Sequence, residues 1–270
     1  MISPEKGSEK GSLKHAWQVR KPLGWAQLTH RKIRLLVAIT GVAFSNILIF
    51  TQLGLKDMLF DGVTLVPDHL QGDLFMVSAY APNIDLGTFP SIYLYQANAV
   101  QGVQSASPLY IEFSNWVNPE DLAVPESGDN SEGFQLFPNS VKILAFNPEQ
   151  PVLSIPEVNQ QLNQLSAPGA VLYDRLGQEK LGSIEQQFQS TGVVSTLMSN
   201  QRVYVTGLFS LGSTLFDNGH VVMSDWSYTQ WYGAESLDRV SVGCLTLAAG
   251  ADVEGVRSRL NAALPKSIKV

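Results

Sequence analysis

The chain has 270 residues, of which 44% are hydrophobic and 16% charged, and its formal net charge is −6. This composition can supply a hydrophobic core and excludes an intrinsically disordered protein. The charge is unevenly divided: residues 1–34 carry eight Lys or Arg and two Glu, whereas the rest carries ten basic and 22 acidic side chains. Because the larger part is acidic, we expect no binding to nucleic acid.

The N-terminal tail ends in a segment that suits a membrane surface. Trp25 and Leu28 fall on one face of a predicted helix, and His30, Arg31 and Lys32 supply a basic one. This arrangement favours the membrane–water interface, so Trp25 and Leu28 are interfacial candidates. An ordinary flanking segment with one interfacial tryptophan explains the same residues equally well.

Residues 35–55 predict a transmembrane helix. These 21 positions contain no Asp, Glu, Lys or Arg, and a helix of this length spans the roughly 30 Å hydrocarbon core of a bilayer. The basic tail favours a cytoplasmic N-terminus, which places the main part of the chain outside the cytoplasm. A cleaved signal peptide is the alternative, but the run is too long and lacks a small-x-small cleavage site.

Four residues of this helix are candidates for packing against other membrane helices. Gly41 and Ser45 stand four apart, and small residues at that spacing allow close helix contact. Asn46 and Gln52 carry amides that are costly in lipid. We therefore expect these side chains to face protein or water.

The rest of the chain reads as a stalk followed by alternating elements. A helical pattern continues to about Pro67, and the acidic stretch 120–140 reads as a solvated loop. Cys244 lies in an apolar run and is expected to be buried. We predict helices over 91–100, 156–165, 225–231 and 253–264, and strands over 73–78, 103–116 (broken at Pro108), 141–146, 170–173, 193–198, 202–209, 220–224 and 240–247.

Sequence motifs for catalysis are missing. There is no Walker-type phosphate loop and no G-x-S-x-G elbow, since Ser210 in 207–212 has the wrong spacing. His220 with Asp217, Ser213 and Asp225 has the composition of a hydrolytic triad, but a turn followed by a strand explains these residues more simply. We expect no enzymatic activity, no catalytic residue, no cofactor and no metal site.

Several short motifs together resemble the DevC-type permeases, the cyanobacterial branch of the MacB-like ABC exporters. The similarity extends from about residue 22 to the end of the chain. The motifs are Pro22-Leu-x-Trp-x-Gln-Leu28, Lys32-x-Arg-Leu-Leu-Val-Ala38, Gln52-Leu-Gly54, Leu59-Phe-Asp61, Ser107-Pro-Leu-Tyr110, Phe146-Asn-Pro148, Leu153-x-x-Pro-Glu-Val-Asn159, Val171-Leu-Tyr-Asp-Arg175, Gly207-Leu-Phe-x-Leu-Gly212 and Gly250-Ala-Asp-Val253.

The resemblance implies an α+β fold in which a transmembrane helix and stalk precede a MacB-like periplasmic domain. That domain has a ferredoxin-type α/β Porter-like part and a β-rich Sabre-like part. The implied boundaries are 1–34 for the cytoplasmic tail and interfacial helix, 35–55 for the membrane helix, 56–72 for the stalk, 73–146 with 236–270 for the Porter-like part, and 147–235 for the Sabre-like part.

The resemblance also implies export by mechanotransmission. In this family a cytoplasmic ATP-binding subunit drives the permease, and the external domain docks a periplasmic membrane-fusion adaptor that leads to a TolC-like outer-membrane protein. A second permease copy completes the assembly. The family has three further membrane helices, so we expect a truncated or half-permease here. The alternative is a membrane-anchored periplasmic binding or scaffold module without an ATPase partner.

Overall fold

A computed structural model describes residues 32–122 and 139–270. The chain divides into two compact units, Met1–Leu55 and Lys56–Val270. Helix α1, Lys32–Thr64, is 33 residues long and begins in the first unit. It is long and apolar enough to cross a bilayer. The predicted helix and its continuation beyond residue 55 are therefore confirmed as helix.

The second unit is a mixed α/β domain. A 3-10 helix over Pro67–His69 follows α1. The strands are β1 Leu74–Ser78, β2 Phe89–Pro90, β3 Val103–Asn115, β4 Ser140–Phe146, β5 Ala170–Asp174, β6 Val194–Met198, β7 Gln201–Phe209, β8 His220–Ser224, β9 Arg239–Val240, β10 Val242–Leu247 and β11 Ile268–Lys269. The helices are α2 Ile92–Asn98, α3 Pro119–Leu122, α4 Pro156–Asn159, α5 Ile184–Thr191, α6 Asp225–Tyr232 and α7 Val253–Ala263.

Nine strands form one mixed sheet in the order β11-β1-β10-β3-β4-β8-β5-β7-β6, and β2 pairs with β9 separately. The pairs β4–β8 and β5–β7 are parallel, and the others are antiparallel. This confirms the predicted mixture of helices and strands. The sheet runs through both the Porter-like and the Sabre-like segments, and the boundary between those parts stays a prediction.

Strand β3 connects the two halves of the sheet. Its residues up to Leu109 pair with β10, and those from Tyr110 onward pair with β4. Pro108, which we expected to break the strand, lies inside it, paired with Gly243. Because proline has no N–H to donate, it fits where the strand exchanges one partner for the other.

The sheet is buried on both faces because its strands alternate between two hydrophobic clusters. On β4, Ile143 and Ala145 belong to one cluster, and Leu144 and Phe146 belong to the other. Helices α2, α5, α6 and α7 contribute to the first cluster, and the segment after β4 contributes to the second. Near-continuous apolar strands of this kind are typical of a sheet with both faces covered.

Local sequence signals account for most of these elements. Ser224 caps α6 by accepting a hydrogen bond from the Ser227 amide at 3.2 Å. Asp252 occupies the cap position of α7 without a capping side-chain bond. The predicted helix over 156–165 is instead α4 followed by a 3-10 helix over Leu162–Ser166. Helix α5 was missed because it is short and polar. Most of the predicted 120–140 loop lies outside the described residues.

Candidate functional site: the helix–domain junction

The four predicted packing residues lie on the first unit's part of α1. At 100° per residue, Gly41, Ser45 and Gln52 fall within about 40° of one another, whereas Asn46 lies about 100° from Ser45. The Ser45 hydroxyl donates to the Gly41 carbonyl at 3.0 Å, which satisfies it within the helix. No other described atom lies within 4 Å of a Cβ placed at Gly41, so the surface is open. The interfacial candidates Trp25 and Leu28 lie outside the described residues.

The last turns of α1 are part of the domain, and this contact is the candidate functional site. Gly62 is buried, and a Cβ placed on it would lie 3.5 Å from Thr214 and 3.7 Å from the Phe216 ring. Val66 is only 1% exposed and belongs to the second core cluster. We call this contact, together with the backbone bonds of residues 69–71 described next, the junction.

Backbone hydrogen bonds join the end of the stalk to the segment after β4. The Ser154 amide donates to the His69 carbonyl at 2.7 Å, and the Gln71 amide donates to the Val152 carbonyl at 2.8 Å. Leu70 and Leu153 form an antiparallel bridge between these two bonds. The His69 ring is held in turn by the Leu65 carbonyl, 2.8 Å from Nδ1. The stalk therefore enters the domain through ordered backbone pairing, with a buried valine beside it.

The loop between β7 and β8 contains Thr214 and Phe216, which contact Gly62. Asp174, at the end of β5, holds this loop in place. Its carboxylate accepts hydrogen bonds from the Leu211 amide at 3.0 Å and the Gly212 amide at 2.7 Å. Further along the loop, the Thr214 hydroxyl donates to Asp217 at 2.7 Å. Carboxylates that accept several such bonds fix the backbone that supplies them. The part of the domain in contact with α1 is therefore preorganised.

Five titratable side chains meet beneath this loop, and we call them the buried ionic cluster. Lys142 on β4 lies 3.1 Å from an oxygen of Asp85 and 3.1 Å from an oxygen of Asp217, and its side chain is 1% exposed. The His220 ring is fully buried, 3.4 Å from Asp174 and 3.9 Å from Asp217. One ammonium thus compensates two carboxylates in a site sheltered from water.

The residues with the composition of a hydrolytic triad are not arranged as one in the structure. His220 does approach Asp217, but its second carboxylate neighbour is Asp174, and Asp225 instead begins α6. Beside the cluster, burial and then the Asp174 charge raise the pKa of Tyr173, which keeps its phenol neutral. Because the His220 ring is fully buried, this arrangement suits a structural role.

Sequence reasoning missed Lys142, Asp85 and Asp174. A lone lysine within the apolar run 141–146 was the available signal, since a charge in a strand buried on both faces needs a partner. Its partners come from loops 57 and 75 residues away, and no local pattern identifies them.

No protein family matches the sequence, and no curated protein is similar to it. The extracellular domain of the noncanonic ABC-type transporter YknZ from Gram-positive bacteria aligns with a TM-score of 0.43 and 10% identity, over 73% of this chain and 98% of that chain. The periplasmic region of MacB from Actinobacillus actinomycetemcomitans aligns with a TM-score of 0.42 and 10% identity, over 72% of this chain and 85% of that chain. Similarity at this level assigns no role to any residue of this chain.

Proposed function

We propose that this chain acts in the permease subunit of an ABC exporter and transmits ATP-driven motion from the membrane to a periplasmic domain. The proposed position is the inner membrane, with the N-terminus in the cytoplasm. A cytoplasmic ATP-binding subunit supplies the motion, and the periplasmic domain docks a membrane-fusion adaptor leading to a TolC-like protein. The exported compounds are envelope components.

The observation that carries this proposal is the junction. Helix α1 is continuous from its apolar segment to Thr64, Gly62 near its end is buried, and the chain just beyond it, at His69 and Gln71, is hydrogen-bonded to the domain. A tether that only anchors a domain needs no such attachment, because a flexible linker holds it equally well. A helix fixed in this way passes a displacement on to the sheet with little loss. The motif resemblance to DevC-type permeases gives the displacement its source.

The proposal is tested by purifying the full chain from membranes of its own host in a mild detergent. We expect an ABC-type ATP-binding subunit to be recovered with it. Gly41→Glu places a charge on the face shared with Ser45 and Gln52, and we expect it to abolish this recovery by preventing close helix contact. Thr40→Glu is the matched control, since it adds the same charge at similar depth and lies at least about 100° around the helix from each of the four packing candidates.

The outcomes separate the two functions. Recovery of the ATP-binding subunit with the parent chain and with Thr40→Glu, but not with Gly41→Glu, supports the permease. Failure to recover any ATP-binding subunit with the parent chain contradicts it and leaves the anchored scaffold module. Recovery with Gly41→Glu as well would place the contact elsewhere than on the Gly41 face, and equal loss in both variants would show a general effect of a charge in the membrane helix.

A further inference from the structure

A cavity of about 430 Å³ opens in the domain where three separate segments meet. The described residues that line it come from the loop before β2, from the neighbouring strands β3 and β4, and from the loop before β8. They are Asn83, Asp85, Leu86, Phe113, Ser140 and Phe216. Its volume lies in the range of small-molecule sites, which are largely apolar with a few placed polar groups.

Most of the cavity wall is apolar. Its polar side chains differ in how many of their hydrogen-bonding atoms have a partner. Leu86, Phe113 and Phe216 supply the apolar surface. The Asn83 side-chain oxygen is occupied, since it accepts the Asp85 amide at 3.2 Å and the Leu86 amide at 3.0 Å. These bonds hold the loop that carries Asp85. Asn83 is therefore a scaffold for the cavity wall.

Asp85 is the unsatisfied group. Its side chain is 9% exposed, and one carboxylate oxygen contacts Lys142 at 3.1 Å. The other oxygen, Oδ1, is buried and has no hydrogen-bond partner among the described residues. A buried acceptor without a partner raises the free energy of the folded state, and such groups are rare in native proteins. Because Oδ1 is closed off from solvent, a ligand's donor removes this penalty when the Asp85 carboxylate turns towards the cavity.

The charge around the cavity selects the kind of donor. Lys142 is shared between Asp85 and Asp217, so two carboxylates face a single ammonium. Beyond them, Asp174 adds another carboxylate beside the buried His220 ring. The excess charge near the cavity is negative, which attracts a cation and repels an anion. The Phe113 ring already lies 5.5 Å from the Lys142 ammonium, and aromatic faces favour cations.

We propose that this cavity binds a small amphiphilic amine. Its ammonium contacts the Asp85 carboxylate, and its apolar body packs against Leu86, Phe113 and Phe216. This inference does not depend on the proposed export function, since it rests on the cavity, on Asp85 and on the charges around them.

The test compares three ligands that share one ring and differ in their polar group: phenethylamine, phenethyl alcohol and phenylacetate. Each is titrated by ligand-observed NMR against the full chain in nanodiscs of uncharged phosphatidylcholine, with empty nanodiscs as the baseline. We expect phenethylamine to bind roughly tenfold more tightly than the alcohol, because a charge-assisted hydrogen bond exceeds a neutral one by about that factor. Phenylacetate should bind most weakly.

Substitutions at two positions test whether the preference for the amine arises at this cavity. Asp85→Asn should reduce the affinity for phenethylamine to that for the alcohol. Leu86 is 67% exposed, so changing it is compatible with folding. Leu86→Lys puts an ammonium at the cavity wall and should weaken phenethylamine and strengthen phenylacetate, whereas Leu86→Met should change neither. Equal affinity for the three ligands, or an amine preference that survives both Asp85→Asn and Leu86→Lys, overturns the proposal.

Discussion

Lys142 shows how a single residue can hold several segments together. It is buried in β4, and its ammonium joins the loop of Asp85 to the loop of Asp217. Removing one member of a buried ion pair leaves an uncompensated charge, which costs far more than the intact pair contributes. Lys142 therefore contributes to the stability of both loops.

We expect Lys142→Met to lower the free energy of unfolding by about 3–5 kcal/mol, because Asp85 and Asp217 then lose their shared cation. Thermal unfolding of the full chain in detergent, followed by tryptophan fluorescence, measures this. Adding Asp217→Asn to Lys142→Met should cost less than the sum of the two single changes, since it removes one of the stranded charges. Strict additivity would contradict the coupling of these residues.

Cys244 is the other residue with a direct prediction. Its side chain belongs to the second core cluster, and burial raises the pKa of the thiol to about 12. Because the thiolate is the reactive form, its fraction at pH 8 falls roughly a thousandfold below that of a thiol with a pKa near 9. We expect no reaction with a disulfide reagent in the folded chain and one thiol per chain in guanidinium. Rapid labelling of folded protein would contradict the burial.

The raised pKa of Cys244 also predicts how the stability of the folded chain changes with pH. The folded state favours the neutral thiol, so its contribution to stability is complete below the unfolded pKa of about 9. It is lost as the pH rises from there towards about 12.

At the scale of elements, the junction depends on how the end of α1 packs against the domain. Gly62 is the one residue of this helix that is buried, and its neighbours Thr214 and Phe216 belong to the loop anchored by Asp174. A methyl group fits there at ordinary contact distance, whereas a longer side chain meets the Phe216 ring. Substitutions at Gly62 can therefore separate the effect of helix propensity on stability from the effect of side-chain packing.

Two substitutions at Gly62 should act in opposite directions. Gly62→Ala should stabilise the domain by about 0.5–1 kcal/mol, because glycine is unfavourable within a helix. Gly62→Leu should destabilise it by about 1–3 kcal/mol through overpacking. Urea unfolding of the full chain measures both values. Gly54→Leu is the control, since no described neighbour lies within 4 Å of its Cβ position, and destabilisation of equal size there would argue against the junction.

At the scale of the whole molecule, the orientation in the membrane is the property on which the proposed function depends. The charge difference between the tail and the rest of the chain predicts a cytoplasmic N-terminus. The burial of Cys244 makes the orientation easy to measure, because the parent chain should not react with maleimides.

We expect a membrane-impermeant maleimide to label Glu235→Cys in intact spheroplasts and to leave Ser8→Cys unlabelled. Glu235 is exposed in the domain, and position 8 lies in the basic tail. Permeabilised spheroplasts should allow both to react. Labelling of Ser8→Cys in intact spheroplasts would show the opposite orientation. The tail would then lie outside the cytoplasm, away from a cytoplasmic ATP-binding subunit.

The sequence alone determined the features that depend on near neighbours. The apolar run of α1, the span of strand β8 and the start of helix α6 are all set within a few residues, and the structure confirms each of them. Only the tertiary structure decided which partners β3 takes on either side of Pro108, and that Asp85, Lys142 and Asp217 meet. Those contacts join segments far apart in the chain, so their geometry is set by the packing of the sheet and carries no local pattern.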